Sequence, residues 1–290
     1  MGLFRTFIVM KMKGVRSLRE MTRLLDIDPR LRKLCLIKQN ESGYPRSVLS
    51  RFTRKVGEDK LNKIIDEKVV KLLERNGTKD IDSVFDASFI KAWSTRDPRD
   101  NQTGYSDREA RVGRAGRTFG LGYKLHLAID SATMLPLACS FASANQNEQK
   151  HSLNLLEKTK LMLKQSETKL RSVIADSQYS DSKLRDAVDA AVIPYRSNQK
   201  RNVEGLLRVD RKFRTYGPDD QKKEYHKRPH VEAVYSFLKT QYSLTINKVR
   251  GLGNVASYAL FSILCLVLNR EPAENFGRYD KAVSPTYFNT

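Results

Sequence analysis

"DIDSVFDASFI", residues 80–90, marks a change of texture in the chain. Here apolar residues crowd into a short β-branched and aromatic run, the pattern of a buried strand. Upstream they recur at helical spacing. "SLREMTRLLDID" (17–28) offers Ser17 as a cap and Glu20 three residues on, ahead of Leu18, Met21 and Leu25. "PRSVLSRFTRKVG" (45–57) is a second helix closed by a glycine. "EDKLNKIIDEKVVKLLERNG" (58–77) is a third, amphipathic and stopped by Asn76-Gly77. Residues 1–80 therefore read as a helical N-terminal region.

Downstream, the polar segment 94–118 carries six arginines and no apolar period, which predicts a loop. "GYKLHLAID" (122–130) and "MLPLACSFAS" (134–143) predict two strands joined by "SAT" as a hairpin. "QKHSLNLLEKTKLMLKQS" (149–166) reads as a helix. "KLRSVIADSQYSDSKLRDAVDAA" (169–191) reads as a strand ending at Asp176, a loop, and a helix from near Ser180. "AVIPYR" (191–196) is a last strand, 198–228 an irregular basic linker, and two helices follow, one from Pro229. Three strands joined locally, then two alternating with helices, predict an α+β fold: a mixed five-stranded sheet flanked by helices.

The 290 residues carry 53 basic and 33 acidic side chains, a formal charge of +20. Such an excess favours a polyanionic partner through counterion release. Cys35, Cys139 and Cys265 form no C-x-x-C pair, which disfavours a disulfide framework or thiolate zinc site and fits a reducing compartment. The four histidines form no H-E-x-x-H pattern. The N-terminus lacks a signal-peptide pattern, and "VASYALFSILCLVLN" (255–269) falls short of the ~20 residues of a membrane span, so no membrane association is expected.

Three carboxylates stand out. Asp86 in "VFDAS" and Asp176 in "IADSQ" occupy similar frames, apolar–apolar–Asp–small–polar, on separate strands. Either alone has a simpler account, since an aspartate at a strand end caps the next turn. Glu232 lies on the helix from Pro229, within "YHKRPHVEAVYSFLK" (225–239). Alone it reads as a surface glutamate bracketed by cations, worth ~0.3–0.5 kcal/mol per pair. Together the three suit a pair of divalent cations, because Mg²⁺ prefers carboxylate oxygens and keeps waters for substrate phosphates. Surrounding Arg, Lys and Tyr would hold a phosphodiester backbone. Lys124 and His126 alternate on one strand and share a face, a further candidate phosphate contact.

Tyr225, Arg228, Glu232 and Lys239 have the spacing Tyr-x2-Arg-x3-Glu-x6-Lys. With "VFDAS" (84–88), "GYKLH" (122–126), "ADSQYSD" (175–181) and "VRGLGN" (249–254) in order, the chain resembles the DDE transposases of prokaryotic insertion sequences. The resemblance covers roughly residues 15–270. It implies an RNase H-like catalytic domain over 81–275, a helical DNA-binding region over 1–80 and a tail over 276–290. It also implies that Asp86, Asp176 and Glu232 are the catalytic triad and metal ligands. Two divalent cations, Mg²⁺ with Mn²⁺ as a substitute, would be the cofactors. Tyr225, Arg228 and Lys239 would contact DNA near the cut. The activity implied is cleavage at terminal inverted repeats and joining of the 3′-OH to target DNA. The implied partner is double-stranded DNA, the working form a homodimer on it, the setting a prokaryotic cytoplasm at the nucleoid. Ser177 and Gln178 depart from the Lys-Gly usual after the second aspartate. A DNA-binding derivative without activity and an RNase H-like nuclease without strand transfer are the alternatives.

Overall fold

The computed structural model describes the whole chain except residues 39, 197, 198, 200–204, 211–213, 246, 247, 279, 280 and 285–290. The N-terminal helices are α1 (Gly2–Met12), α2 (Leu18–Ile27), α3 (Pro29–Leu34) and α4 (Arg46–Arg75). Ser17 caps α2 as its sequence predicts, its hydroxyl accepting from the Glu20 N–H at 3.1 Å. The Glu20 carboxylate returns to the Arg16 N–H at 3.1 Å, one residue before the expected box partner. α4 joins the two helices expected over 45–77: at Gly57 the backbone turns to φ 70°, a left-handed value that glycine adopts without strain.

The strands are β1 (Asp80–Lys91), β2 (Arg111–Ala115), β3 (Thr118–Asp130), β4 (Pro136–Ser143), β5 (Lys169–Ala175) and β6 (Ala191–Val192). They form one mixed sheet in the order β2-β3-β1-β5-β6, with β4 paired to β3. The α+β class and the hairpin of β3 and β4 match the sequence reading. The Arg-rich segment differs, since it contributes the sixth strand, β2, which pairs antiparallel with β3. Between the strands, bridges Arg96–Gly104 and Thr103–Arg111 fold the rest of that segment on itself. The buried carboxylate of Asp107 anchors it by accepting from the Tyr123 hydroxyl at 2.7 Å.

α5 (Gln149–Gln165) packs on β4, and α6 (Ser182–Asp186) follows a single 3-10 turn at Ser177–Tyr179. Short strands β7 (Tyr195–Arg196), β8 (Arg208–Val209) and β9 (Thr215–Tyr216) form a separate small sheet. The expected final strand over 191–196 is therefore divided between two sheets at Ile193-Pro194, where proline withholds a backbone donor. The expected irregular linker also holds α7 (Asp219–Tyr225), so Tyr225 ends a helix. Part of that linker lies outside the described residues. α8 (Pro229–Thr240), α9 (Leu252–Leu268) and α10 (Arg270–Asn275) complete the chain.

The chain divides into two compact units: Met1–Lys68 with Ile90–Tyr123 and Ser236–Thr290, and Val69–Phe89 with Lys124–Tyr235. The first is built on α1 against α9, with Phe7 stacked on Phe261 at 4.9 Å between centroids. α9 is apolar all round because it is buried all round. With α10 it runs 24 residues, longer than the apolar run alone, and 78% of its most apolar window is buried in protein. The second unit contains most of β1, the C-terminal half of β3, and all of β4, β5 and α5.

Candidate active site

β1 and β5 run parallel, and Phe85 pairs with Ala175. The next residue is an aspartate in both cases, so Asp86, midway along β1, and Asp176, just past the end of β5, stand side by side on adjacent parallel strands. This register explains the similar frames: each places two apolar residues in the core immediately before the acid. The Asp176 carboxylate also caps the 3-10 turn, accepting from the Gln178 N–H at 2.8 Å. Serine and glutamine at 177 and 178 therefore still support a tight turn after the second acid.

Glu232 sits in the first turn of α8, where a carboxylate also complements the helix dipole. Arg228, just before the helix, joins it to the strands. Its Nη1 is 2.8 Å from Glu232 Oε1 and its Nη2 3.8 Å from Asp86 Oδ1. Asp176 lies within electrostatic range of the same guanidinium. The three acids thus surround one cation.

Burial pushes the Asp86 carboxyl up to about 7, against the pull of Arg228 and with Asp176 and Glu232 adding repulsion. Burial raises Asp176 as well, opposed by Arg228. Tyr225 is pushed up to about 12 by burial and by the same carboxylates, so it is a protonated donor at neutral pH. The Tyr235 hydroxyl lies 2.8 Å from the Asp86 carbonyl and 2.9 Å from that of Leu125. That contact pins α8, and with it Glu232, to two neighbouring strands.

Two expected contacts are corrected here. His126 is wholly buried, its Nδ1 3.0 Å from the Tyr179 hydroxyl and its ring stacked on His151 at 4.5 Å. Burial, aided by His151 and Lys124, drives it down to about 3, so it is neutral and out of reach of a DNA backbone. The Lys124 ammonium is engaged by Glu148 Oε1 at 2.6 Å and the Gln146 carbonyl at 3.0 Å, with both side chains largely buried. Their shared face exists as expected, but Tyr179 and α5 cover it. Lys239 lies seven residues beyond Glu232 on α8, in the other compact unit.

Sequence reasoning missed Glu148, Tyr179 and Tyr235. Glu148 is a fourth carboxylate near enough to raise Asp176. The signal for Tyr235 was available: it lies three residues after Glu232, one helical turn away, on the apolar side.

The donor set of Asp86, Asp176 and Glu232 is all carboxylate oxygen, and it suits a hard divalent cation. Among the described residues, no three acid, histidine or cysteine side chains lie close enough to chelate one ion as they stand. The Arg228 guanidinium instead contacts both Glu232 and Asp86.

The profile described as Transposase DDE domain matches residues 77–269. Comparison with curated protein sequences gives no significant match. Among solved structures, the piggyBac transposase synaptic complex with hairpin DNA is similar at TM-score 0.50 and 10% identity, over 99% of this chain and 69% of that one. A Mos1 transposase paired-end complex aligns at TM-score 0.27 and 11% identity, over 92% and 78%. The first likeness agrees with an RNase H-like sheet, and the profile match, which spans every strand and both aspartates, settles the kinship: the chain belongs to the DDE transposases.

Proposed function

We propose that the chain is the transposase of a prokaryotic insertion sequence, of the subgroup marked by Tyr225, Arg228, Glu232 and Lys239. It would bind the terminal inverted repeats of its element, hydrolyse a phosphodiester at each end, and join the freed 3′-OH to target DNA. The observation that carries this reading is the Phe85–Ala175 register, which sets two aspartates side by side beneath the helix that bears Glu232.

Asp86, Asp176 and Glu232 would hold two Mg²⁺ ions, with Mn²⁺ as a substitute. Bound there, the ions would polarise the attacking and leaving oxygens of an in-line displacement. The rest is done by the chain. Arg228 exchanges its carboxylate partners for a phosphate, whose oxygens its planar fork matches. Tyr225 donates a hydrogen bond to the backbone, and Lys239 adds a point charge further along the helix. Lys124 and His126 act at one remove: Lys124 neutralises Glu148 beside Asp176, and His126 props Tyr179 beneath Asp86. The low exposure of Asp86 limits how far water screens that acid, while Glu232 at the helix end is half exposed. A homodimer would pair the two element ends, in the cytoplasm at the nucleoid.

The test is a labelled inverted-repeat end with Mg²⁺ and a plasmid target. Wild type should nick and join. Asp86→Ala, Asp176→Ala and Glu232→Ala should each lower nicking on the order of 10²–10³-fold or more while still shifting the labelled end. Nicking without joining would favour the nuclease alternative, and shifted DNA with no product from wild type would favour the inactive derivative.

A further inference from the structure

The first compact unit contains a groove of about 600 Å³. Its cations come from three parts of the chain: Arg16 and Arg19 at the start of α2, Arg46 and Arg54 on α4, and Lys248 and Arg250 before α9. All six are exposed, no carboxylate lines the groove, and none of the six pairs with one among the described residues. Six uncompensated charges around one cleft create a strong anion-attracting potential.

Two aromatic groups distinguish the groove from a plain basic patch. Trp93 lines it with 50% of its surface exposed. Its carbonyl accepts from Arg250 Nε at 3.2 Å, and Lys248 Nζ lies 5.5 Å from its ring centroid. Tyr258 also lines the groove.

We propose that this groove binds an unpaired stretch of DNA, with a base stacked on Trp93 and flanking phosphates among the arginines. The choice of DNA rests on the transposase reading. The preference for an unpaired strand rests on shape. The groove is of small-ligand size, within the ~300–1,000 Å³ of such clefts, which admits a nucleotide or two. A cleft of that size holds a base or two but not a duplex, whose paired bases would stay stacked outside it. A duplex would satisfy the cations but offer Trp93 no base face, whereas a single strand offers both.

Trp93 is the only tryptophan in the chain, so its emission reports on the groove directly. The full-length protein, without divalent cations, is titrated with dT8 and with a hairpin duplex of equal phosphate count. The expected result is saturable quenching by dT8 and at least tenfold weaker binding of the hairpin. By anisotropy of labelled dT8, Trp93→Ala should weaken binding roughly 5- to 150-fold, and Trp93→Phe should keep most of it. Arg46→Gln with Arg250→Gln should flatten the salt dependence by one to two units. Equal binding of both DNAs with unchanged emission would overturn the proposal, as would full affinity in a folded Trp93→Ala protein. Tighter binding of an RNA octamer, U8, would overturn the assignment to DNA. Lost dT8 preference with end cleavage intact refutes the groove alone; lost cleavage with the preference intact refutes only the transposase reading.

Discussion

Asp82 and Asp86 lie four residues apart on β1 and, by the two-residue period of a strand, on the same face. Their surroundings push them in opposite directions. Burial would raise Asp82, but Arg171, Lys227 and Ser172 all bond to its carboxylate and hold it far below the usual range. Asp86 is raised to about 7 chiefly by burial, which Arg228, a cation it shares with Asp176 and Glu232, only partly offsets. One end of the strand is a closed ion-pair network that fixes the chain just before α8. The other is an acid cluster short of positive charge. Adjacent basic residues, Lys227 and Arg228, serve the two ends. A fully satisfied carboxylate supports structure, and an under-neutralised one is available for chemistry.

The largest effect should fall on the structural end. Asp82→Asn leaves Arg171 and Lys227 without their shared anion, though Lys227 keeps Glu224 and Arg171 is largely in solvent, and should cost about 2–3 kcal/mol at pH 7 by urea denaturation. Its folded carboxyl titrates below its unfolded one, so this stability is present above the ordinary aspartate range and lost on acidification. The gap between mutant and wild type should therefore begin to narrow near pH 4 and shrink progressively on further acidification.

Asp86→Asn should do the reverse. Its folded carboxyl titrates above its unfolded one, so ionisation destabilises the ion-free protein as pH rises toward 7. The substitution should stabilise the protein by about 2 kcal/mol at pH 8 and by nothing at pH 4, read as thermal midpoints without divalent cations. A destabilised mutant at pH 8 would break the contrast.

Smaller effects sharpen it. Tyr235→Phe removes the hydroxyl that ties α8 to the Asp86 and Leu125 carbonyls. It should cost about 1 kcal/mol of stability and lower cleavage more than DNA binding, because Glu232 loses its fixed position. Smallest is Lys239→Ala, which should weaken binding of a labelled end and flatten its salt dependence by about one unit.

Local patterns made much of this legible. The Ser17 cap, the Gly57 break, the Pro229 helix start and the two aspartate frames all follow from rules that span a few residues. What stayed hidden depends on partners far along the chain. β2 carries no apolar alternation and exists because β3 lies beside it, with Arg111 opposite Gly122. His126 looked like a surface contact because its cover, Tyr179 and His151, arrives dozens of residues later. Asp82 and Asp86 look alike in sequence; Arg171 and Arg228, supplied by β5 and the start of α8, make them different. The interleaving of the two compact units has no local signature either, since each takes pieces from several separate stretches.

The account turns on which acid serves the ions. Mn²⁺ binding followed by electron paramagnetic resonance at pH 7.5, in the presence of a 3′-OH DNA end, compares wild type, Asp82→Asn and Asp86→Asn without requiring turnover. Wild type and any folded Asp82→Asn protein should bind Mn²⁺ alike, and Asp86→Asn should lose at least one ion. Undiminished binding in Asp86→Asn would contradict the central claim.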